Sequence, residues 1–213
     1  MNENILCSRR EALLAFGTFS RLLFNSEYRV RWAFIMQELK ALDYFNCPAS
    51  TKFHLCCPGG LMMHSVSDVH VALSLSEIYA PGLSAAKIII TGLLHDVGKC
   101  GLLTADGAIY PRYVLNEEPF PSWPKQQKWW TPYIYKDSKP MFTMRDLSVI
   151  YASRWGLDDD ILQAILIHDG QYDEANKKYN NESPLSVLLT AADLFSSQVL
   201  ETKDSLIQRR FII

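Results

Sequence analysis

The chain has 213 residues, 48% hydrophobic and 21% charged, with a formal net charge of −2. These values suit a globular protein with one core and exclude a strongly basic surface for indiscriminate nucleic-acid binding, leaving room only for a local basic groove. No stretch approaches the roughly 20 apolar residues of a membrane span. The first residues, Met1 to Cys7, lack the charged and apolar regions of a secretory signal. Five cysteines, an odd number with Cys56 and Cys57 adjacent, make no disulfide framework and lack the second spaced pair of a zinc ribbon. The expected setting is cytoplasmic, with no membrane and no disulfide-linked partner, and no feature specifies an oligomer.

In chain order, Arg9 to Phe24 and Glu27 to Tyr44 carry apolar residues at helical spacing, with Asn25-Ser26 between them as break and N-cap. Cys47-Pro-Ala-Ser50 interrupts. A helix restarts at Gly59-Gly60 and runs to Tyr79, where Pro81-Gly82 end it. Ser84 is the expected N-cap of a helix reaching His95, and Gly98 its C-terminal stop.

Between Gly98 and Thr143 the pattern changes. Ala108 to Leu115 and Lys128 to Tyr135 read as two short strands around a proline-rich turn, and Pro111 and Pro132 make the hairpin irregular and edge-like. An excursion of this length is expected to act as a lid or binding loop. Further helices are predicted over Met144–Trp155, Asp158–Ile167 and Pro184–Glu201, with Pro184 in the first turn. The expectation is a single all-α domain over 1–213. It has N-terminal helices in 1–46, a core in 47–200 and an inserted lid at about 100–142, whose β-hairpin-like part covers about 105–137.

The chemistry concentrates in few residues. His95-Asp96 closes the apolar run from Ala85 to Leu94, where packing alone would favour another aliphatic residue. Asp193 interrupts another apolar helix, and an isolated carboxylate there is expensive to bury unless paired or metal-bound. Consecutive helix positions point about 100° apart, so His95 and Asp96 share an ion only if other helices close around it. His64 and Asp193 would close it. The expected metal ligands are His64, His95, Asp96 and Asp193. This mixed nitrogen and oxygen set suits one divalent ion of Mn, Fe, Co, Ni or Zn, and Mg less well.

Other residues are given plainer roles. His70 is expected to be structural or exposed, and Asp158-Asp-Asp160 is a helix-start charge cluster. Trp123, Trp129, Trp130, Tyr133 and Tyr135 are expected to pack the hairpin onto the body in preference to stacking a base.

Taken in order, Gly60-Leu-Met-Met-His64, Leu94-His-Asp-Val-Gly-Lys99, Ile167-His-Asp-Gly170 and Ala192-Asp193 resemble the motifs of HD-domain metal-dependent phosphohydrolases. Pro48 to His54, ahead of the Gly-Gly-Leu element, is similar to a subgroup of small HD hydrolases common in bacterial and phage genomes. The resemblance covers about residues 47 to 200. It implies an HD-domain helical bundle and hydrolysis of phosphoesters in a nucleotide or at a nucleic-acid end. One element departs from it: members of that subgroup often carry another histidine where Met144 stands, so a single metal is expected here.

By the same resemblance the ion would activate water, Asp96 would be ligand and proton acceptor, and Lys99 would neutralise phosphate charge. His168 would bind the phosphate or protonate the leaving oxygen. His54, Lys99 and Arg145 would contact substrate, with Arg112 a weaker candidate. The alternatives are a 3′-end exonuclease, a cyclic-nucleotide phosphodiesterase, or a non-catalytic nucleotide-binding or interaction module on the same scaffold.

Overall fold

The segment after Gly59 forms a helix whose first half is buried on every side, His64 and Asp68 included. The computed structural model describes residues 8–51, 53–104, 106–118, 131–136, 141–169 and 182–201. At its centre lies α3 (Gly60–Tyr79), with Leu61, Met62, Met63, Val66, Val69 and Ala72 all buried. Around it pack α1 (Arg9–Phe24), α4 (Ala85–Leu94) and α7 (Pro184–Phe195). The remaining helices are α2 (Arg29–Ala41), α5 (Met144–Arg154) and α6 (Asp159–Ile167). The described residues are thus mostly helical.

Local sequence accounts for the helix ends. Ser84 caps α4 by accepting from the Lys87 N–H, and Ser183 caps α7 ahead of Pro184. Thr143 and Asp146 form a reciprocal capping box at the start of α5. Ser26 is not the N-cap of α2: that position falls to Tyr28, whose N–H bonds the Ser26 hydroxyl at 3.1 Å. The final helix stops short of Glu201, because after Phe195 the chain widens into a π turn over Ser196–Leu200.

Gly98 is not a simple helix stop. The chain turns through a 3-10 segment, Val97–Cys100, and a side chain at Gly98 would meet the Met144 carbonyl at 2.0 Å. The Gly98 N–H instead bonds the Ser148 hydroxyl, which fixes this turn against α5. Gly92 does a similar service between α3 and α4, where a Cβ would stand 2.7 Å from Val69 Cγ2. That close approach brings the C-terminal end of α4 alongside the first turns of α3.

Among the described residues the insertion holds four short strands in two antiparallel pairs. β1 (Gly101–Leu103) pairs with β2 (Ile109–Pro111), and β3 (Tyr113–Leu115) pairs with β4 (Tyr133–Tyr135). The single strand expected over Ala108–Leu115 is therefore two, divided at Arg112, and β1 was not foreseen. Trp123, Trp129, Trp130 and the proline-rich turn lie outside the described residues. Tyr133 and Tyr113 are buried, whereas Tyr135 is exposed. Among the described residues no helix is long and apolar enough to cross a membrane. Among the described residues the cysteines at 47, 56, 57 and 100 form no disulfide.

Candidate metal centre

Two helices end in the same way. His95 follows the last residue of α4 and its Nδ1 donates to the Gly92 carbonyl at 2.8 Å; His168 follows α6 and its Nδ1 donates to the Ile165 carbonyl at 2.7 Å. Each bond to the carbonyl three residues back fixes the ring and leaves Nε2 facing inwards. The two rings meet edge to face, with centroids 4.9 Å apart. His64, in the second turn of α3, is anchored differently. Its Nδ1 lies 3.0 Å from a Glu201 carboxylate oxygen, which turns its Nε2 towards the same space. A histidine whose other nitrogen is held by a carbonyl or carboxylate is set up as a metal ligand.

Carboxylates gather at these three Nε2 atoms. Asp193 Oδ1 lies 3.2 Å from His64 Nε2, while Asp68 Oδ2 lies 3.5 Å from His64 Nε2 and 3.2 Å from His95 Nε2. Asp96 Oδ2 is 3.4 Å from His95 Nε2 and 3.7 Å from His64 Nε2, and its Oδ1 is 3.7 Å from His168 Nε2. Lys99, on the 3-10 turn, forms an ion pair with Asp96 instead of pointing to solvent. His54 packs beside His64 at the rim, the rings tilted by 41° with centroids 4.8 Å apart.

Burial and charge oppose one another throughout this cluster. Burial would raise the Asp96 carboxyl, yet Lys99, His95 and His168 hold it well below the usual carboxylate range. Burial would likewise raise Asp193 and Glu201, but His64 draws both down. For Asp68 burial prevails and pushes the carboxyl up to about 6, against the pull of His64 and His95. Burial would lower the imidazoles, but Asp68, Glu201 and Asp193 raise His64, and Asp96, Asp169 and Asp193 raise His168 to about 9. His54 is pushed the other way, to about 4, by burial and by its neighbour His64.

The cluster fits a metal ion. His64, Asp68, His95 and Asp193 offer ligand atoms that all lie within 4.8 Å of one another, and His95, Asp96 and His168 form an adjoining group. His95 Nε2 and both Asp68 oxygens are buried without a hydrogen-bond partner among the described residues, a state that is costly unless something else satisfies them. Nitrogen and oxygen donors of this kind suit a divalent transition metal.

The residues singled out in the sequence fall into three places. His64, His95, Asp96, Asp193, His168 and Lys99 come together, and His54 stands at their edge. His70 packs against Phe19 on another face of α3, with ring centroids 5.0 Å apart. Arg145 is half-buried in the first turn of α5, and Arg112 sits in the insertion, donating to the Phe142 carbonyl. Met144, at the head of α5, has its sulfur 2.9 Å from the Tyr113 hydroxyl.

Two members of the cluster were not foreseen. Asp68 lies one helical turn after His64, a spacing that puts both on one face. Glu201 reaches His64 only because the chain turns beyond α7. Compared with protein-family models, curated proteins and solved structures, the chain matches none.

Proposed function

We propose that this protein is a divalent-metal-dependent phosphohydrolase of the HD-domain type, acting on a nucleotide phosphoester. The observation that carries the reading is the convergence of buried His64, His95 and Asp96 with partly exposed Asp193, drawn from three separate helical elements and left with an unpartnered imidazole nitrogen. Those four residues would hold the ion. When bound, it supplies an activated water nucleophile and polarises a phosphoryl oxygen.

The chain's own groups divide the remaining work. Asp96, kept ionised by Lys99, His95 and His168, can hold the proton of a nucleophilic water in a hydrogen bond. Lys99 is protonated in its pair with Asp96 and offers positive charge to an incoming phosphate. His168, raised to about 9, carries a proton near neutrality and is fitted to donate it to the leaving oxygen. His54 and Arg145 are assigned to substrate contact. Met144 offers only a thioether beside Tyr113, a poor ligand for a hard cation, which favours one ion over two. A near-neutral chain favours a nucleotide over a long polynucleotide.

Elemental analysis of the purified full-length chain, followed by a panel of nucleotides, cyclic dinucleotides and short oligonucleotides with Mn²⁺, tests this. One transition metal per chain and phosphate release from nucleotides are expected, with His95→Ala lowering metal content and lowering kcat/KM by more than about 100-fold. A chain that holds no transition metal, and whose His95→Ala variant behaves as the parent, overturns the reading. Cleavage confined to oligonucleotide ends would replace the nucleotidase with an exonuclease.

A further inference from the structure

Resting on the metal-centre reading above, we propose that Asp68 is itself a ligand of the ion, the fifth donor of a carboxylate-rich shell made with His64, His95, Asp96 and Asp193. Asp68 is fully buried on α3. A core carboxylate with a structural task would be tied into hydrogen bonds, because leaving it unsatisfied is expensive. Neither oxygen of Asp68 has such a bond. Nor does Lys99 serve it, since that ammonium is engaged with Asp96.

What surrounds Asp68 is a set of inward-facing nitrogens at distances that suit shared coordination. Donors that share an ion at about 2.0–2.2 Å stand about 3.0–3.5 Å from their neighbours. Asp68 Oδ2 is 3.2 Å from His95 Nε2 and 3.5 Å from His64 Nε2, and His64 Nε2 is 3.2 Å from Asp193 Oδ1. Asp68 Oδ2 and His95 Nε2 are close, yet both lack a hydrogen bond, so they do not satisfy one another. Both atoms are left for a third group to satisfy. The arrangement of an ion-ligand pair, and not that of an ion pair, accounts for this.

Charge agrees with the assignment. Two neutral imidazoles, three carboxylates and a dication leave one negative charge, which the Lys99 ammonium on Asp96 neutralises. Without Asp68 in the shell a carboxylate would stay buried beside the ion with no role. Five donors, three of them hard oxygens, suit Mn²⁺ or Fe²⁺, whereas structural zinc prefers four donors.

Mn²⁺ titration of the metal-stripped full-length chain by calorimetry tests the proposal without relying on turnover. The parent is expected to bind one Mn²⁺, and Asp68→Asn, which keeps size and shape, to bind it at least about 10-fold more weakly. Parental affinity in Asp68→Asn overturns the assignment of Asp68 while leaving the metal centre standing. A parent chain that binds no ion overturns both. If Asp68→Asn does not fold, Asp68→Glu is read through bound Co²⁺: altered visible bands support ligation, and bands identical to the parent's overturn it.

Discussion

α4 and α6 are joined at both ends by charged side chains, and the two junctions differ in kind. At the N-terminal ends, Lys87 Nζ lies 2.9 Å from Asp160 and 3.3 Å from Asp158, whose carboxylate also accepts from the Tyr28 hydroxyl at 2.8 Å. The Lys87, Asp158 and Asp160 side chains are 23%, 42% and 38% exposed, so water supplies what the chain does not. At the C-terminal ends, His95, Asp96 and His168 face one another at 0–7% exposure, with Asp68 and His64 closing from α3. Each junction has a lysine, Lys87 at the first and Lys99 at the second, but only the first is open to solvent. The second excludes water, crowds carboxylates against imidazoles and leaves buried polar atoms unpaired. A fold that needed only to clamp two helices would use the first arrangement twice, so the second is there for something the chain lacks.

The comparison breaks most readily at Glu201, which lies outside the ion's proposed ligands and has no counterpart at the Lys87 junction. It is 1% exposed and holds His64 Nδ1, fixing which nitrogen faces the cluster. Replacing the carboxylate that orients a metal-binding histidine lowers metal affinity by about 10–100-fold. Glu201→Gln is expected to show such a loss in Mn²⁺ calorimetry with far-UV circular dichroism unchanged. Parental affinity would mean that Glu201 only packs the chain's end against α3.

Why Glu201 and Asp68 escaped the sequence reading while His64, His95 and Asp193 did not is a matter of local pattern. Residues that interrupt an apolar run stand out, as His95, Asp96 and Asp193 do after Leu94 and Ala192. Asp68 sits in His64-Ser-Val-Ser-Asp-Val-His70, where alternating polar residues imitate a solvent face. Only the i, i+4 spacing from His64 sets it apart. Glu201 depends on the π turn at Ser196–Leu200, a change of helical register that a 3.6-residue repeat does not contain. Helix limits were legible where capping chemistry is local, as at Ser84 and Pro184. Three-residue strands such as β1 are too short to show an alternation, and their pairing depends on the turn at Thr104–Ala108.

A second test sharpens the contrast through pH. Burial would lower His168, but Asp96, Asp169 and Asp193 raise it to about 9, against about 6.5 in an unfolded chain. A group whose folded pKa is raised stabilises the fold fully below its unfolded pKa, and the contribution disappears as pH climbs through the folded value. The metal-stripped protein should therefore lose melting temperature between about pH 6.5 and 9. In His168→Asn that slope should flatten. Loss of the His168 charge removes a cation 3.7 Å from Asp96, so Mn²⁺ affinity of the parent should rise over the same range. A metal-stripped protein whose melting temperature stays level from pH 6.5 to 9 would contradict the charged state assigned to His168.

The smallest effect is expected at the other junction. Partly exposed ion pairs contribute about 0–1 kcal/mol and weaken with salt. Asp160 and Asp158 both raise the Lys87 ammonium, as befits a cation held between two carboxylates, but solvent reaches all three side chains. Lys87→Met keeps most of the aliphatic stem and removes the charge. It should lower stability by no more than about 1 kcal/mol in urea unfolding, with the difference shrinking as salt is added. Mn²⁺ affinity should be unchanged, because the helices' C-terminal ends are positioned by Gly92 against Val69 and by the His95 and His168 bonds to their own helices. If Lys87→Met instead weakened Mn²⁺ binding as much as Glu201→Gln, the two junctions would be one coupled unit, and the distinction between a clamp and a site along this helix pair would fall.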